Sequence, residues 1–195
     1  TLNFVGNLCV EPQLRQHISQ DMGGLLTQIY EIYASDVTTK PFEWIDSAAR
    51  ALHTLNNCSI EPATQTLLAG KDFDKLAEIV FKTLSVRPET DVEKELRDRT
   101  LQLLSRVVKN EVAASKVVAS KDLMLKLLVF YSLPETNKSA LITLHTLMVK
   151  VGEFRQIMLD THKFTQASFD NFLSSARANY ASCKAEEKWD DYVNV

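Results

Sequence analysis

The chain has 195 residues, of which 45% are hydrophobic and 24% charged, a composition typical of a soluble globular protein with its own core. Its net charge of −3 argues against a dedicated nucleic-acid-binding domain, because such domains are usually basic. The longest apolar run, residues 123–133, is short and carries Lys126, so no membrane-spanning segment is expected.

Apolar residues recur at helical spacing along the whole chain, and period-2 alternation, the signal of a strand, is missing from it. The sequence therefore predicts an all-α protein. The predicted helices are 1–10, 12–20, about 25–35, 42–57, 62–69, one through 76–84, 91–109, 111–119, 123–133, 137–150, 153–160 and a long one through 169–180.

Several helix starts are marked by the residue type found there. Pro12 is suited to a first helical turn, and Thr90-x-x-Glu93 has the spacing of a capping box. Asp72 and Asp122 are each predicted to cap the helix that follows.

The chain also repeats itself. Val10-Glu11-Pro12 stands fifty positions before Ile60-Glu61-Pro62, and Leu52-His53-Thr54-Leu55 returns unchanged at 144–147. Self-similarity with a period of roughly 40–50 residues indicates a stacked array of helical repeats. Because the chain begins at Thr1 inside what reads as a repeat, we expect it to be a fragment of a longer protein.

Two stretches carry a resemblance to a known family. They are Phe4-Val5-Gly6-Asn7-Leu8, followed by Ile18 and then Gly23-Gly24-Leu25-Leu26, and Ala49-x-Ala51-Leu52-x-x-Leu55-x-Asn57. This pattern resembles armadillo repeats, and it implies a right-handed α-solenoid of three-helix repeats over residues 1–183. HEAT repeats, with two helices per unit, are the alternative architecture. Residues 184–195 are predicted to be a separate acidic tail.

In the armadillo family the third helices line a concave surface, and asparagines on them bind extended peptides. The resemblance places this surface on 1–10, 42–57, 91–109 and 137–150. Only two of the four aligned ladder positions are asparagine here, and none of the family's tryptophan positions is tryptophan. The residues expected to contact a partner are Asn7, Arg50, His53, Asn57, Arg99, Gln102, Arg106 and His145.

Arg50, Arg99 and Arg106 form a basic stripe on this predicted surface, which favours a protein partner with an acidic segment. The alternative is that these arginines pair with Asp46, Glu95 or Asp98 on neighbouring helical turns. The aromatic residues of the last units have two readings as well, a partner groove or, as we expect from their helical spacing, part of the core. They are Phe154, Phe164, Phe169, Phe172 and Tyr180.

Neither a catalytic motif nor a metal-ligand spacing occurs, and His53 and His145 are too far apart along the array to share an ion. We therefore expect no enzyme, cofactor or metal. The predicted function is a protein-binding scaffold, and the alternative is the client-binding half of a co-chaperone or assembly factor. Three widely spaced cysteines, Cys9, Cys58 and Cys183, favour reduced thiols in the cytoplasm or nucleus over a disulfide framework.

Overall fold

A computed structural model describes residues 6–20, 24, 42–70, 73–85, 90–132 and 137–185, and all regular structure within these ranges is helical. The prediction of an all-α protein is confirmed. Residues 6–8 are helical, and the helices with defined bounds are α1 Pro12–Ser19, α2 Phe42–Cys58, α3 Pro62–Ala69, α4 Phe73–Ser85, α5 Asp91–Val107, α6 Glu111–Ala119, α7 Lys121–Ser132, α8 Asn137–Lys150, α9 Phe154–Asp160 and α10 Gln166–Ala185.

Most predicted helices are present within one or two residues of their expected bounds. The predicted helix 25–35 and the predicted cap Asp72 lie outside the described residues. Helix α10 continues to Ala185, so the first two residues of the expected acidic tail are helical, and the rest of that tail lies outside the described residues. The predicted helix 91–109 is two residues too long, because α5 ends at Val107 and Asn110 caps the next helix.

The helix starts have identifiable causes. Pro12 and Pro62 occupy first turns, where the missing N–H of proline costs nothing. The capping box at Thr90 is confirmed: Glu93 N donates to Thr90 Oγ1 at 3.3 Å, and Thr90 N donates to Glu93 Oε2 at 2.8 Å. The expected cap at Asp122 is wrong.

Helix α7 begins at Lys121, so Asp122 lies inside its first turn. The cap is Ser120, whose Oγ accepts a hydrogen bond from Leu123 N at 3.4 Å. A serine two residues upstream of Asp122 thus accepts from a backbone N–H of the first turn, which has no partner inside the helix. The aspartate was expected to fill this role.

Several helices pack against the helix that occupies the corresponding place about fifty residues along the chain. The long helices α2, α5 and α8 lie side by side in that order, as do the short helices α3, α6 and α9, while α4 lies against α7. Leu52 and Leu55 of α2, Leu103 of α5, and Leu144 and Leu147 of α8 are fully buried between them. A single unit has no other surface on which to bury these side chains, so the packing between units supplies the core.

Side chains also fasten one unit to the next. Lys116 Nζ on α6 donates to the carbonyls of Ala69 and Gly70 at 3.0 and 3.1 Å, at the C-terminal end of α3. The His162 ring lies 2.8 Å from the Val118 carbonyl near the end of α6. Such contacts satisfy terminal carbonyls that have no partner inside their own helix.

The aromatic residues of the last units belong to the core, as expected. Phe154, Phe169 and Phe172 are buried, and Phe169 lies between the other two at ring-centroid distances of 6.3 Å. Phe164 packs against the same core and is partly buried, whereas the side chain of Tyr180 lies outside the described residues.

Candidate functional site

A polar cleft of about 300 Å³ opens between the helical segment 6–8, α2 and α5. Four of the eight residues predicted to contact a partner line this cleft together, although 92 positions separate the first from the last in sequence. We call this site the polar cleft; its lining residues are Asn7, Asp46, Ala49, Arg50, His53, Glu95 and Arg99.

Two ion pairs within single helices flank the polar cleft. Arg50 Nε donates to Asp46 Oδ2 at 2.6 Å, and Arg99 Nη2 donates to Glu95 Oε1 at 3.1 Å. In both pairs the acid stands four residues before the base, the favourable order along a helix. The alternative reading of the arginines, pairing with neighbouring carboxylates, is therefore confirmed for Arg50 and Arg99.

The third candidate carboxylate of that alternative does not pair with the stripe. Asp98 Oδ1 accepts from Arg97 Nε at 3.3 Å instead. The Asp46 hydrogen bond raises the pKa of Arg50, because it stabilises the charged guanidinium.

His53 connects α2 to α5 across the bottom of the polar cleft. Its Nδ1 atom accepts a hydrogen bond from Arg99 Nη1, which requires the imidazole to be unprotonated at that atom. Burial lowers the pKa of His53, the positive charges of Arg99 and Arg106 lower it further, and Glu95 opposes them. The ring is therefore held in its neutral form beside two guanidinium groups.

Asn57, one of the two expected ladder asparagines, is used inside the molecule. Its Nδ2 atom donates to the Gly6 carbonyl at 3.1 Å and lies 3.3 Å from His53 Nε2. A Cβ at Gly6 would come within 3.0 Å of His53 Cδ2 and 3.1 Å of Thr54 Oγ1, so the glycine permits this close approach. Asn57 thus ties the segment 6–8 to α2, while Asn7 remains exposed at the cleft.

Gln102 and Arg106 lie between α2 and α5 and do not line the polar cleft. Gln102 Oε1 accepts from the buried amide of Asn56 at 2.9 Å, and Arg106 Nη1 donates to the Asn56 carbonyl at 2.5 Å. Burial lowers the pKa of Arg106, and the charges of Arg15 and Arg99 lower it further. Both side chains therefore have an internal role in joining the two helices.

His145 belongs to a different surface. It lines an apolar groove of about 350 Å³ between α8, α9 and α10, together with Met148, Val149 and Leu173. Burial lowers the pKa of His145 as well. The eight predicted residues thus divide among the polar cleft, the contact between neighbouring long helices, and this groove.

The sequence offered a partner groove as the second reading of Phe154 and Phe169, and both residues line this groove. It did not indicate the two arginines at the groove, Arg155 and Arg177, because no repeat alignment brings α8 and α10 together.

The sequence indicated Asp46 and Glu95 only as possible ion-pair partners of the arginines. Each stands four residues before its arginine, and this i,i+4 spacing was the signal that it lies beside that arginine and hence at the cleft. Ala49 also lines the cleft, and no signal distinguished it from the other alanines of α2.

The polar cleft offers hydrogen-bond donors and acceptors at adjacent positions, from guanidinium, amide and carboxylate groups. This arrangement suits a ligand with alternating donors and acceptors, such as a peptide backbone. Within the described ranges, no group of three or more His, Cys, Asp or Glu side chains is placed to hold a metal ion. None of the helices in those ranges combines the length and the apolar character needed to cross a membrane.

No protein-family model, curated protein or solved structure matches this chain.

Proposed function

We propose that the chain is a protein-binding scaffold, an armadillo-like right-handed solenoid that holds a segment of a partner protein along the row formed by α2, α5 and α8. The side-by-side packing of corresponding helices supports the architecture. Three helices recur per unit in the order short, medium and long, as in α3, α4 and α5, which favours the armadillo over the two-helix HEAT alternative.

The observation that carries the binding proposal is the convergence of Asn7, Arg50, His53 and Arg99 in one open polar cleft. These residues come from three successive long-helix positions, so a bound segment that contacts all of them runs along the row and across the helix axes. Asn7 is exposed there, and its amide offers a donor and an acceptor to a peptide backbone.

We propose that the partner segment is acidic. Its carboxylates replace those of the protein's own acidic residues as partners of the two arginines in the cleft, which we call carboxylate exchange. Arg50 and Arg99 already have intrahelical partners in Asp46 and Glu95. Exposed pairs of this kind contribute only about 0–1 kcal/mol, so a carboxylate of the partner displaces them at small cost. The net gain in electrostatic energy is correspondingly small, and most of the affinity comes from backbone hydrogen bonds and shape.

The test uses the whole chain and a library of random peptides displayed on phage. Peptides enriched on the chain are expected to carry Asp or Glu and to lose binding when Arg50→Gln and Arg99→Gln are combined. The matched control combines Lys82→Gln and Lys94→Gln, which removes two other intrahelical ion pairs, to Glu78 and Asp91, outside the cleft. Control binding is expected to be unchanged.

Enriched peptides that bind the Arg50/Arg99 variant as tightly as the chain itself would refute the polar cleft as the partner site. Thermal melting of both double variants checks that they fold. Enrichment of basic peptides only would refute the proposed carboxylate exchange.

A further inference from the structure

The long helices form a regular row, and no helix among the described residues covers the apolar groove between α8, α9 and α10 at the end of that row. Helix α5 covers one side of α2, and α8 covers one side of α5. The groove lies on a side of α8 that does not touch α5, and among the described residues only α10 and the start of α9 approach it. Val149 on this side of α8 is 68% exposed.

The floor of the groove is hydrophobic and its edge is basic. Phe154, Phe169 and Leu173 form part of the floor, and Arg155 and Arg177 stand at the edge. Arg155 lies over the Phe169 ring, with its guanidinium carbon 6.0 Å from the ring centroid. None of the lining residues is acidic.

Neither arginine forms an ion pair with a carboxylate in the part of the chain that the structure describes. This distinguishes them from Arg50 and Arg99, whose charges are already partnered. A ligand with carboxylates therefore gains more at Arg155 and Arg177 than at the polar cleft, because among the described residues it displaces no carboxylate there.

The sequence that follows Ala185 has the matching chemistry. Residues 186–195 read Glu-Glu-Lys-Trp-Asp-Asp-Tyr-Val-Asn-Val, with four carboxylates against one lysine. Trp189 and Tyr192 are large apolar side chains with polar edges, the kind that dominates binding in concave pockets. Acidic residues stand on both sides of Trp189 in the sequence, which complements the charge of the two arginines.

We propose that this groove is a binding site for an acidic, aromatic segment, and that residues 186–195 of the same chain are that segment. The inference is independent of the polar cleft and of the proposed partner. Tethering the segment to α10 gives it a high effective concentration at the groove, so even weak contacts keep it bound.

The distances permit this. Arg177 stands eight residues before Ala185, about 12 Å along the helix, and Leu173 about 18 Å. An extended chain spans at most roughly 3.4 Å per residue, which gives Trp189 a maximum reach of about 14 Å from Ala185 and Tyr192 one of about 24 Å. These reaches exceed the distances back to Arg177 and Leu173, so a chain that reverses direction after α10 can bring Trp189 to the level of Arg177 and Tyr192 to the level of Leu173.

Photo-cross-linking in the full chain tests the proposal. Tyr192 is replaced by the photoreactive amino acid benzoylphenylalanine, which is also a large aromatic, and cross-linked peptides are identified by mass spectrometry. Cross-links within one molecule, to residues 141–155 or 169–177, are the expected result. They are expected to fall to background when Arg155→Glu and Arg177→Glu are combined.

Gly152 offers a second blocking variant that leaves the core intact. A Cβ at this position meets no atom within 4 Å and the backbone needs no positive φ, so Gly152→Phe adds a side chain at the groove without strain. This variant is also expected to lose the cross-links. The charge-matched control is Lys121→Glu with Lys126→Glu on α7, which does not line the groove and is expected to keep them.

Three results would overturn the proposal. They are cross-links to other surfaces, cross-links only between two molecules (a second copy then fills the groove), and cross-links that persist in both the Arg155/Arg177 and the Gly152→Phe variants. None of these results bears on the polar cleft, whose test uses Arg50 and Arg99.

Discussion

The Sγ atoms of Cys9 and Cys58 lie 3.4 Å apart, and both side chains are completely buried. Each residue stands at or just beyond the end of a long-helix position, Cys58 at the last residue of α2. Burial raises the pKa of both thiols, that of Cys58 to about 12, while Arg15 has a smaller opposing effect. The pair is thus held as neutral thiols in the core.

The first prediction concerns the reactivity of this pair. Only the thiolate reacts with alkylating reagents, and both the raised pKa values and the burial suppress it. In the native chain, Cys9 and Cys58 are therefore expected to react with iodoacetamide far more slowly than in urea, as followed residue by residue with mass spectrometry. Equal rates in both conditions would show that the pair is accessible in the native state.

The second prediction concerns the core between the long helices. Leu52 and Leu144 occupy equivalent places in α2 and α8 and have no exposed surface. Leu52→Ala or Leu144→Ala is expected to lower the free energy of unfolding by about 2–5 kcal/mol, because each leaves a cavity in a packed contact. Urea denaturation measures the change.

Leu125 is the matched control for this pair, because it is a leucine on a helix of the same array and is 46% exposed. Leu125→Ala is expected to cost clearly less. A loss below about 1 kcal/mol for Leu52→Ala would mean that the packing of α2 against α5 is wrong.

The helices were predictable because their signals are local. Helical spacing of apolar residues, Pro12, and the Thr90–Glu93 box each act within a few positions of the feature they determine. The cap at Asp122 failed because Ser120, two residues upstream, stands directly before the start of α7 and accepts the hydrogen bond from Leu123 N. Both residue types are good caps, so the residue type alone does not fix which of them is used.

The site was less predictable because its contacts depend on how two neighbouring helices are offset. The repeat aligns His53 with Gln102, but in the structure His53 meets Arg99 and Asn56 meets Gln102, both 46 residues apart. The repeat period identifies equivalent positions, not touching ones. For the same reason, wide spacing in sequence did not reveal that Cys9 and Cys58 are in contact.

The third prediction concerns acid sensitivity. Because the pKa of His53 is lowered in the folded state, the unfolded chain binds a proton more readily as the pH falls. The neutral His53 ring contributes fully to stability at pH values above 6.5, the ordinary pKa of histidine. This contribution is lost as the pH falls below 6.5. The free energy of unfolding is therefore expected to decrease in that range.

Replacing His53 by glutamine is expected to make this decrease shallower. Some of the decrease will remain, since the pKa of His145 is lowered too. An NMR titration of the His53 ring provides the direct measurement. A pKa above 6.5 in the native chain would contradict the hydrogen bond from Arg99 to Nδ1.

The last prediction separates the arginines of the basic stripe by what each one does. Arg106 is half-buried, and it donates to the Asn56 carbonyl, one of the contacts that join α5 to α2. Arg106→Ala leaves that carbonyl without its charged donor and is expected to cost about 1.5–3 kcal/mol of unfolding free energy. Within the described ranges the ion-pair partner of Arg50 is Asp46 on its own helix, so Arg50→Ala is expected to leave the urea midpoint unchanged.

The same two substitutions are expected to have the opposite order of effect on peptide binding, with Arg50→Ala the more damaging. Arg50→Ala should weaken the capture of acidic peptides by the polar cleft, since its guanidinium lines that cleft. Arg106→Ala should alter binding only where it lowers the folded fraction, because Arg106 does not line the cleft. Loss of binding in a fully folded Arg106→Ala variant would show that Arg106 contacts the partner after all. A large drop in the urea midpoint for Arg50→Ala would show that Arg50 stabilises the fold as Arg106 does.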